Sequence, residues 1–526
     1  MIKLNEEEKE SNRENDFIVQ FKDVTKIYSG TVALHKINIE VKRGEVHGII
    51  GKNGAGKTTL VGIMSGIIDP TEGEIIIKGK KYRSISRQRA KKEGISIIPQ
   101  ESQVIPDLSV VENIFTPDYI RSWGNFINWK KMYSKIEKVI DESQININPY
   151  ARAGDLSISE QQLLLVLKAC FIDDAQVIIF DEVSSSLTKK DEEVLYRIIR
   201  EQKKKGKAIL FISHSMEEIL EICDLVTILR DGKVIAKEEC ACLDKNKLSY
   251  FIVGGEYNYK EHEVGEESGK EEEKESNEIV LSVRNFTKFG AFQNINFDLK
   301  KGEVVGLAGL RGSGRTELFK AIAGIDLADK GWIKIGNEEK RFTDPAQALQ
   351  NGIVYLPEDR EKEGLIDILT VRENLTLSSL PRLLNKVRLI NLEEEKKLAT
   401  TLAERLSILT PSIEEELKKL SGGNKQKVLM GKVLSANPIV YLLDEPTKGI
   451  DISTKKEILK IIKEELSRFA GIIMSSPGLE DLILICDRIL VLYKGEIVGE
   501  FFEDKFKEID LYRAVQGVRD KFVENN

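Results

Sequence analysis

No run of apolar residues in this 526-residue sequence approaches the roughly 18 that a helix needs to cross a bilayer, so no membrane-spanning helix is expected. The opening stretch MIKLNEEEKE is acidic and lacks an apolar core, so it does not read as a secretory signal. Cysteine is scarce. The five present (Cys170, Cys223, Cys240, Cys242, Cys486) form no C-x-x-C pair and no metal-ligand spacing, which fits reduced thiols in a cytoplasmic protein. Long Lys/Arg runs are also missing, and the net charge of −7 argues against the basic face or arm of a nucleic-acid binder. What remains, 41% hydrophobic and 31% charged residues, is the composition of a soluble globular chain long enough for two to four domains.

Two glycine-rich loops stand out. GKNGAGKTT at 51–59 meets the pattern G-x-x-x-x-G-K-[ST] in full, whereas GLRGSGRTE at 309–317 meets it except that Arg315 replaces the lysine. Other landmarks recur at nearly the same offset. Gly309 follows Gly51 by 258 residues, Glu358 follows Gln100 by 258, and Asp444 follows Asp181 by 263. So long a period signals duplication of a whole domain rather than a solenoid. Between the copies, 256–278 is acidic and almost free of aliphatic residues, so it reads as a flexible linker. The expected organisation is a disordered tail over 1–16, domains over 17–255 and 279–515, and a C-terminal tail over 516–526.

Within each half, short β-branched runs alternate with helical patterns, the signature of an α/β fold. Val46–Ile50, Val177–Phe180, Ala208–Ile212 and Val226–Leu229 are apolar on both faces, as buried parallel strands are. Amphipathic stretches such as 58–67 and 190–203 lie between them, and 101–155 reads as a separate helical subdomain.

The first loop has the strand-before, helix-after context of a true phosphate cradle. Gly51, Gly54 and Gly56 let the backbone approach phosphate, and with Lys52, Asn53, Ala55 and Thr59 they supply amides at a helix N-terminus. Lys57 would reach the β- and γ-phosphates, and Thr58 would ligate Mg²⁺. Asp181 ends an apolar strand and suits a Mg²⁺ contact through water. Glu182 suits the base that polarises the attacking water. His214 ends another apolar strand, where it suits a γ-phosphate contact. Gln100 ends a further one and suits sensing of Mg²⁺ or the water.

With LSGGNKQ at 420–426 and YLLDEPTKGID at 441–451 added, the chain resembles ATP-binding-cassette ATPases over 17–255 and 278–515. GxxGSGRTE, YLPEDREKEGL at 355–365 and LLDEPTKGID narrow the likeness to the tandem-cassette ATPases of bacterial monosaccharide importers, the ribose, galactose, xylose and arabinose group. The resemblance implies two tandem P-loop ATPase domains, each with a RecA-like core, a β-subdomain and a helical subdomain. It implies ATP and Mg²⁺ as cofactors, no nucleic acid, two copies of a transmembrane permease and an extracytoplasmic sugar-binding protein as partners, and a peripheral place on the cytoplasmic side of the cell membrane.

In that family each ATP lies between one cassette's loop and the other's signature. Carried over, the first site joins Lys57, Thr58, Gln100, Asp181, Glu182 and His214 to Ser421, Gly422 and Gly423 in trans. Tyr28, placed before the first strand pair, suits either an adenine stack or a core position. The second site joins Gly309, Gly312, Gly314, Arg315 and Thr316 to Glu358, Asp444, Glu445 and the altered signature LSISEQQ at 156–162, with Ser157 in the serine position.

There arginine's fork is bulkier than a lysine point charge. Glu358 replaces glutamine, and MSSPGLED at 474–481 has no histidine. Ile158 and Ser159 replace glycines, while Glu160 adds a charge that repels phosphate by roughly 2 kcal/mol at about 8 Å. Ser157 and Glu160 also fit a helix capping box. Val183, Ser184 and Thr188 depart from the family's usual Pro, Thr and Asp, although Thr is common at the last position in the sugar group.

The damage falls on one composite site, so one competent and one degenerate site are expected. Alternatives are the same machinery importing nucleosides or an autoinducer-type sugar, and, more distantly, a soluble tandem ATPase acting on ribosomes. A non-hydrolysing nucleotide sensor is opposed by Glu182 and His214.

Overall fold

In each half of the chain an antiparallel sheet and a mostly parallel sheet share one core with the helix that follows the glycine loop. The computed structural model describes residues 17–28, 30–100, 102–173, 175–254, 278–336, 338–385, 387–476, 478–503 and 506–518. The chain divides into two units, Met1–Gly255 and Glu256–Asn526. The expected tail 1–16, linker residues 256–277 and tail residues 519–526 lie outside the described residues. Glu278, read as the end of the linker, already accepts a hydrogen bond from Lys301 N at 2.8 Å.

The first unit contains β1 (Phe17–Tyr28), β2 (Thr31–Lys42), β3 (Val46–Ile50), β4 (Glu72–Ile77), β5 (Lys80–Tyr82), β6 (Ile95–Ile98), β7 (Val177–Asp181), β8 (Ala208–Ile212), β9 (Leu225–Arg230) and β10 (Lys233–Glu239). They form a four-stranded sheet, β2-β1-β4-β5, and a six-stranded sheet, β10-β9-β3-β8-β7-β6. Pairings of β3, β6, β7, β8 and β9 are parallel, and only β10 runs antiparallel, at the edge. Every residue of β3 and β8 is buried, as expected of central strands covered on both faces, whereas β10 alternates between exposed and half-buried.

Leu60 and Ile63 of the helix Lys57–Met64 pack with Ile49, Leu210 and Ile212 beneath Phe21 and Ile39 of the antiparallel sheet. Each such side chain contributes about 1.5–3 kcal/mol on burial. The core thereby fixes the strand ends that carry the polar residues.

The second unit repeats the plan with β11 (Ile279–Lys288), β12 (Phe292–Lys300), β13 (Val304–Ala308), β14 (Lys330–Ile335), β15 (Glu338–Lys340), β16 (Ile353–Leu356), β17 (Val440–Leu443), β18 (Gly471–Ser475), β19 (Arg488–Tyr493) and β20 (Glu496–Phe502). Its sheets read β12-β11-β14-β15 and β16-β17-β18-β13-β19-β20, the same neighbour relations as in the first unit.

Between β6 and β7 lie the helices Val110–Phe115, Trp129–Ser143 and Ile158–Leu167. Met132, Ile136, Val139 and Ser143 bury one stripe of the second, at helical spacing. The region read as helical over 101–155 is therefore helical in part, with turns and short irregular stretches between. The counterparts in the second unit are Val371–Thr376, Leu392–Arg405 and Gly422–Ser435. No helix among the described residues is long and apolar enough to cross a membrane.

Candidate functional site

In the first unit the loop joins β3 to the helix Lys57–Met64. Gly56 holds φ 101° as the N-cap, and a Cβ there would come within 2.6 Å of Leu34 Cδ2 and 2.7 Å of Ala33 O, so glycine is required on two counts. Gly51 needs its bareness for space alone, since a Cβ would meet Leu229 O at 2.3 Å. Lys57 is 7% exposed. Its ammonium curls back over the loop, donating to Gly51 O at 2.7 Å and Lys52 O at 3.0 Å. Asn53, Gly54 and Thr58 are exposed, and Thr59 is half-buried.

Three neighbouring strand ends then converge. Asp181 closes β7, with Glu182 next in the left-handed region at φ 49° and its amide donating to Ile212 O at 3.0 Å. That bond ties the turn to β8. Gln100, just past β6, donates from Nε2 to Glu182 Oε2 at 3.0 Å, and His214, just past β8, places Nδ1 3.5 Å from the same oxygen. The sequence-predicted Gln100, Glu182 and His214 are therefore brought together around one carboxylate.

Burial, with the adjacent Glu182 charge, pushes Asp181 up to about 6 against the opposing pull of Lys57. Burial also draws Lys57 below the usual lysine range, opposed by Glu182 and Asp181. The cluster is thus a largely buried set of one cation and two carboxylates beside a glycine-rich loop that leads into a helix N-terminus. Such a set fits a nucleotide phosphate with its divalent ion.

Tyr28 corrects the sequence reading: it is the last residue of β1, not a residue ahead of the strand pair. At 42% exposure it is not a core aromatic, and Lys26 Nζ lies 4.9 Å from its ring centroid.

The equivalent loop of the second unit has the same backbone form, with Gly312 at φ 76° and Gly314 at 102°. A Cβ on Gly309 would meet Leu492 O at 2.6 Å. Its side-chain chemistry differs. Arg315 does not curl over its own loop as Lys57 does. It reaches out to donate to Ser476 O and to Glu445 Oε1, each at 3.2 Å. Both members of that ion pair are nearly buried, at 10% and 11% side-chain exposure.

Burial raises Glu445, with Arg315 pulling it back down. Lys448 pairs with Glu358 and also lies 3.9 Å from Glu445 Oε2. Asp444 is raised by burial, opposed by hydrogen bonds from Ser475 (2.7 Å) and Thr316. Arg315 is thus satisfied by Glu445, and the residues at 358 and 448 satisfy each other. The Lys448–Glu358 pairing and the role of Ser475, which also accepts from Glu445 N at 3.0 Å, were missed in the sequence. Their signal was available where the two halves differ: Ser475 falls opposite Ile212, and Lys448 opposite Ser185.

The two signature segments also differ. Ser421 caps the helix Gly422–Ser435. Gly422 and Gly423 give room, since a Cβ at 422 would stand 3.2 Å from Arg360 Nη2 and one at 423 would stand 3.2 Å from Thr454 Oγ1. In the first unit Ser157 caps Ile158–Leu167, and the capping box with Glu160 is present as read. Ile158 is 65% exposed. Ser159 is buried and donates to Asp191. Asp191 also accepts from Thr188 Oγ1 at 2.8 Å, whereas in the second unit Thr454 donates to Asp451 at the same distance. The carboxylate and the hydroxyl have exchanged places at the helix start. This accounts for Thr188, and the moved carboxylate gives the serine hydroxyl its partner.

Strand, glycine loop and helix, with paired carboxylates at the end of another strand of the same sheet, occur twice and define a tandem P-loop nucleotide-binding protein. The ABC transporter family model matches residues 34–185 and 292–448, and the chain belongs to that family, whose cassettes are ATPases.

It is 39% identical over 502 residues to the ribose import ATP-binding protein RbsA of Caldanaerobacter subterraneus subsp. tengcongensis, covering 95% of this chain and 99% of that protein. It is 37% identical over 516 residues to the xylose import ATP-binding protein XylG of Thermoanaerobacter pseudethanolicus, covering 96% and 100%. A putative ribose/galactose/methyl galactoside import ATP-binding protein of Agrobacterium fabrum is 36% identical over 504 residues, covering 96% and 98%.

Proposed function

We propose that this chain is the ATP-hydrolysing, energy-coupling subunit of a monosaccharide importer, with turnover confined to the first unit's loop. The observation that carries the reading is the contrast between two carboxylates. Glu182 stands beside Gln100 and His214 at the converging strand ends, while Glu445 is paired with the arginine that replaces the loop lysine.

The intact loop binds ATP, with Lys57 on its phosphates and Tyr28 on the adenine. Ser421, Gly422 and Gly423 of the second unit close over the γ-phosphate. Thr58, Asp181 and Gln100 would hold Mg²⁺, whose charge would offset that of the phosphates. Glu182 takes a proton from the attacking water, and Gln100 and His214 orient that carboxylate. The degenerate site, formed by Gly309–Thr316, Glu358, Asp444, Glu445 and the first unit's Ser157, holds nucleotide without turnover.

Two permease subunits and an extracytoplasmic sugar-binding protein complete the transporter, and the chain sits on the cytoplasmic face of the membrane. The full-length relatives named for ribose and xylose import support this cargo class. Steady-state ATPase of the full chain tests the asymmetry. Glu182→Gln is expected to lose about 100-fold or more of kcat, whereas Glu445→Gln should stay within about threefold, because its carboxylate is already neutralised by an arginine. Equal losses would overturn the reading.

A further inference from the structure

The motif YLPEDREKEGL helped to narrow the family, yet beyond Glu358 the function above leaves it without work. Arg360 lies two residues past Glu358 and points back across the second unit. Its Nη1 donates to Lys448 O at 3.2 Å and, more weakly, to Gln426 Oε1 at 3.5 Å. Nη2 is the atom that a methyl on Gly422 would meet at 3.2 Å, and a Cβ on Gly449 would stand 3.7 Å from it. One guanidinium therefore touches the turn after the Asp444–Glu445 pair, the side of the signature helix and the first signature glycine. Its Nε is buried without a hydrogen-bond partner. Planar geometry lets the fork bridge several acceptors at once, which an ammonium on a flexible stem does less well.

The segment that carries Arg360 is itself anchored. Asp359 accepts the amides of Glu361 and Lys362 at 3.1 Å, and Lys432 of the signature helix donates to Gly364 O at 2.8 Å.

The first unit supplies an internal control. Two residues past Gln100 stands Ser102, whose hydroxyl donates to Gln161 Oε1 at 3.0 Å. Gln162, the counterpart of Gln426, turns to a different carbonyl: its Nε2 donates to Pro99 O at 2.7 Å, where Gln426 donates to Pro446 O at 2.6 Å, and its buried Oε1 has no partner. Ile158 occupies the position of Gly422. So where the arginine is missing, the signature-helix glutamine bonds elsewhere with its oxygen unsatisfied, and the glycine that faces the arginine is gone. Arginine and signature glycine are present together or absent together within one chain.

We infer that Arg360 is a positioning residue for the hydrolytic reaction. It locks the Ser421–Gly423 turn against the Lys448–Gly449 turn, so that the signature presents its amides to the γ-phosphate held by Lys57. The inference rests on the proposed pairing of the second unit's signature with the first unit's nucleotide. Arg360 itself reaches the reaction only through that turn.

The test uses the full chain and compares Arg360→Gln, Arg360→Lys and Ser421→Ala for kcat, KM for ATP, affinity for ADP and melting temperature. A displaced signature is expected to lower kcat/KM for ATP roughly 10- to 100-fold in R360Q. ADP affinity should stay unchanged, because ADP lacks the γ-phosphate that the signature contacts. R360K should fall between R360Q and the parent. A merely structural arginine would lower the melting temperature and leave KM for ATP and the ADP-to-ATP ratio of affinities unmoved, which overturns the inference. Should R360Q not fold, parental kcat and KM in R360K would also overturn it. Impaired S421A with normal R360Q refutes the role of Arg360 alone. Normal values in both refute the underlying pairing of signature and loop.

Discussion

Asp181 shows what a single side chain carries when the cradle holds no ligand. Its folded pKa is raised by burial to about 6, above the ordinary 3.8, so its contribution to stability is fully present below pH 4 and is lost as pH rises through 6. Asp181→Asn should therefore raise the melting temperature of the nucleotide-free chain above pH 6, by up to about 3 kcal/mol in unfolding free energy, with the gain disappearing below pH 4. Thermal unfolding at a series of pH values checks this, and a gain independent of pH would refute it.

Arg315 gives the complementary case. Removing it as Arg315→Gln leaves a nearly buried Glu445 with Lys448, 3.9 Å away, as its remaining cation, and should destabilise the second unit by up to about 3–5 kcal/mol. Adding Glu445→Gln should recover most of that loss in a double-mutant cycle, because no charge is then stranded. Denaturant unfolding of the full chain measures both.

Elements record the same history in their caps. Thr188 and Asp191 start one helix, and Asp451 and Thr454 start its counterpart, with carboxylate and hydroxyl exchanged. Because either order satisfies the exposed amides of a first turn, the double exchange Thr188→Asp/Asp191→Thr should cost less than about 1 kcal/mol from capping alone. It moves away the acceptor of Ser159, however, and an unsatisfied buried hydroxyl costs about 1–3 kcal/mol. Adding Ser159→Gly should restore that part, as read by chemical denaturation.

The glycine loops, the apolar strands and the carboxylates at their ends were legible in the sequence because each is a contiguous pattern. Tyr28 was misplaced because β1 runs on to the edge of a turn, where propensity says little. The Arg315–Glu445 pair spans 130 residues and the Lys448–Glu358 pair spans 90. Such partners depend on how neighbouring strands align, and no local pattern encodes that. Motif comparison identified Arg315 and Glu358 as departures but could not show what either of them pairs with.

At the scale of the whole chain, the proposal requires the first unit's loop and the second unit's signature to meet when ATP is bound. Cysteines placed at Asn53 and Ser421 in a Glu182→Gln background should form a crosslink with ATP and Mg²⁺ at least about tenfold faster than without nucleotide, as an induced encounter raises effective concentration. Gel mobility after brief oxidation reads the outcome, with the parent's five cysteines as the control. Equal rates with and without ATP would separate the two elements and end the shared-site reading.

The arginine clasped to Glu445 has a consequence for stoichiometry. With one carboxylate proposed as the base and its twin paired with an arginine, each transport stroke would split a single nucleotide. The other could stay bound from stroke to stroke, so that the ratio of phosphate released to sugar admitted approaches one rather than two.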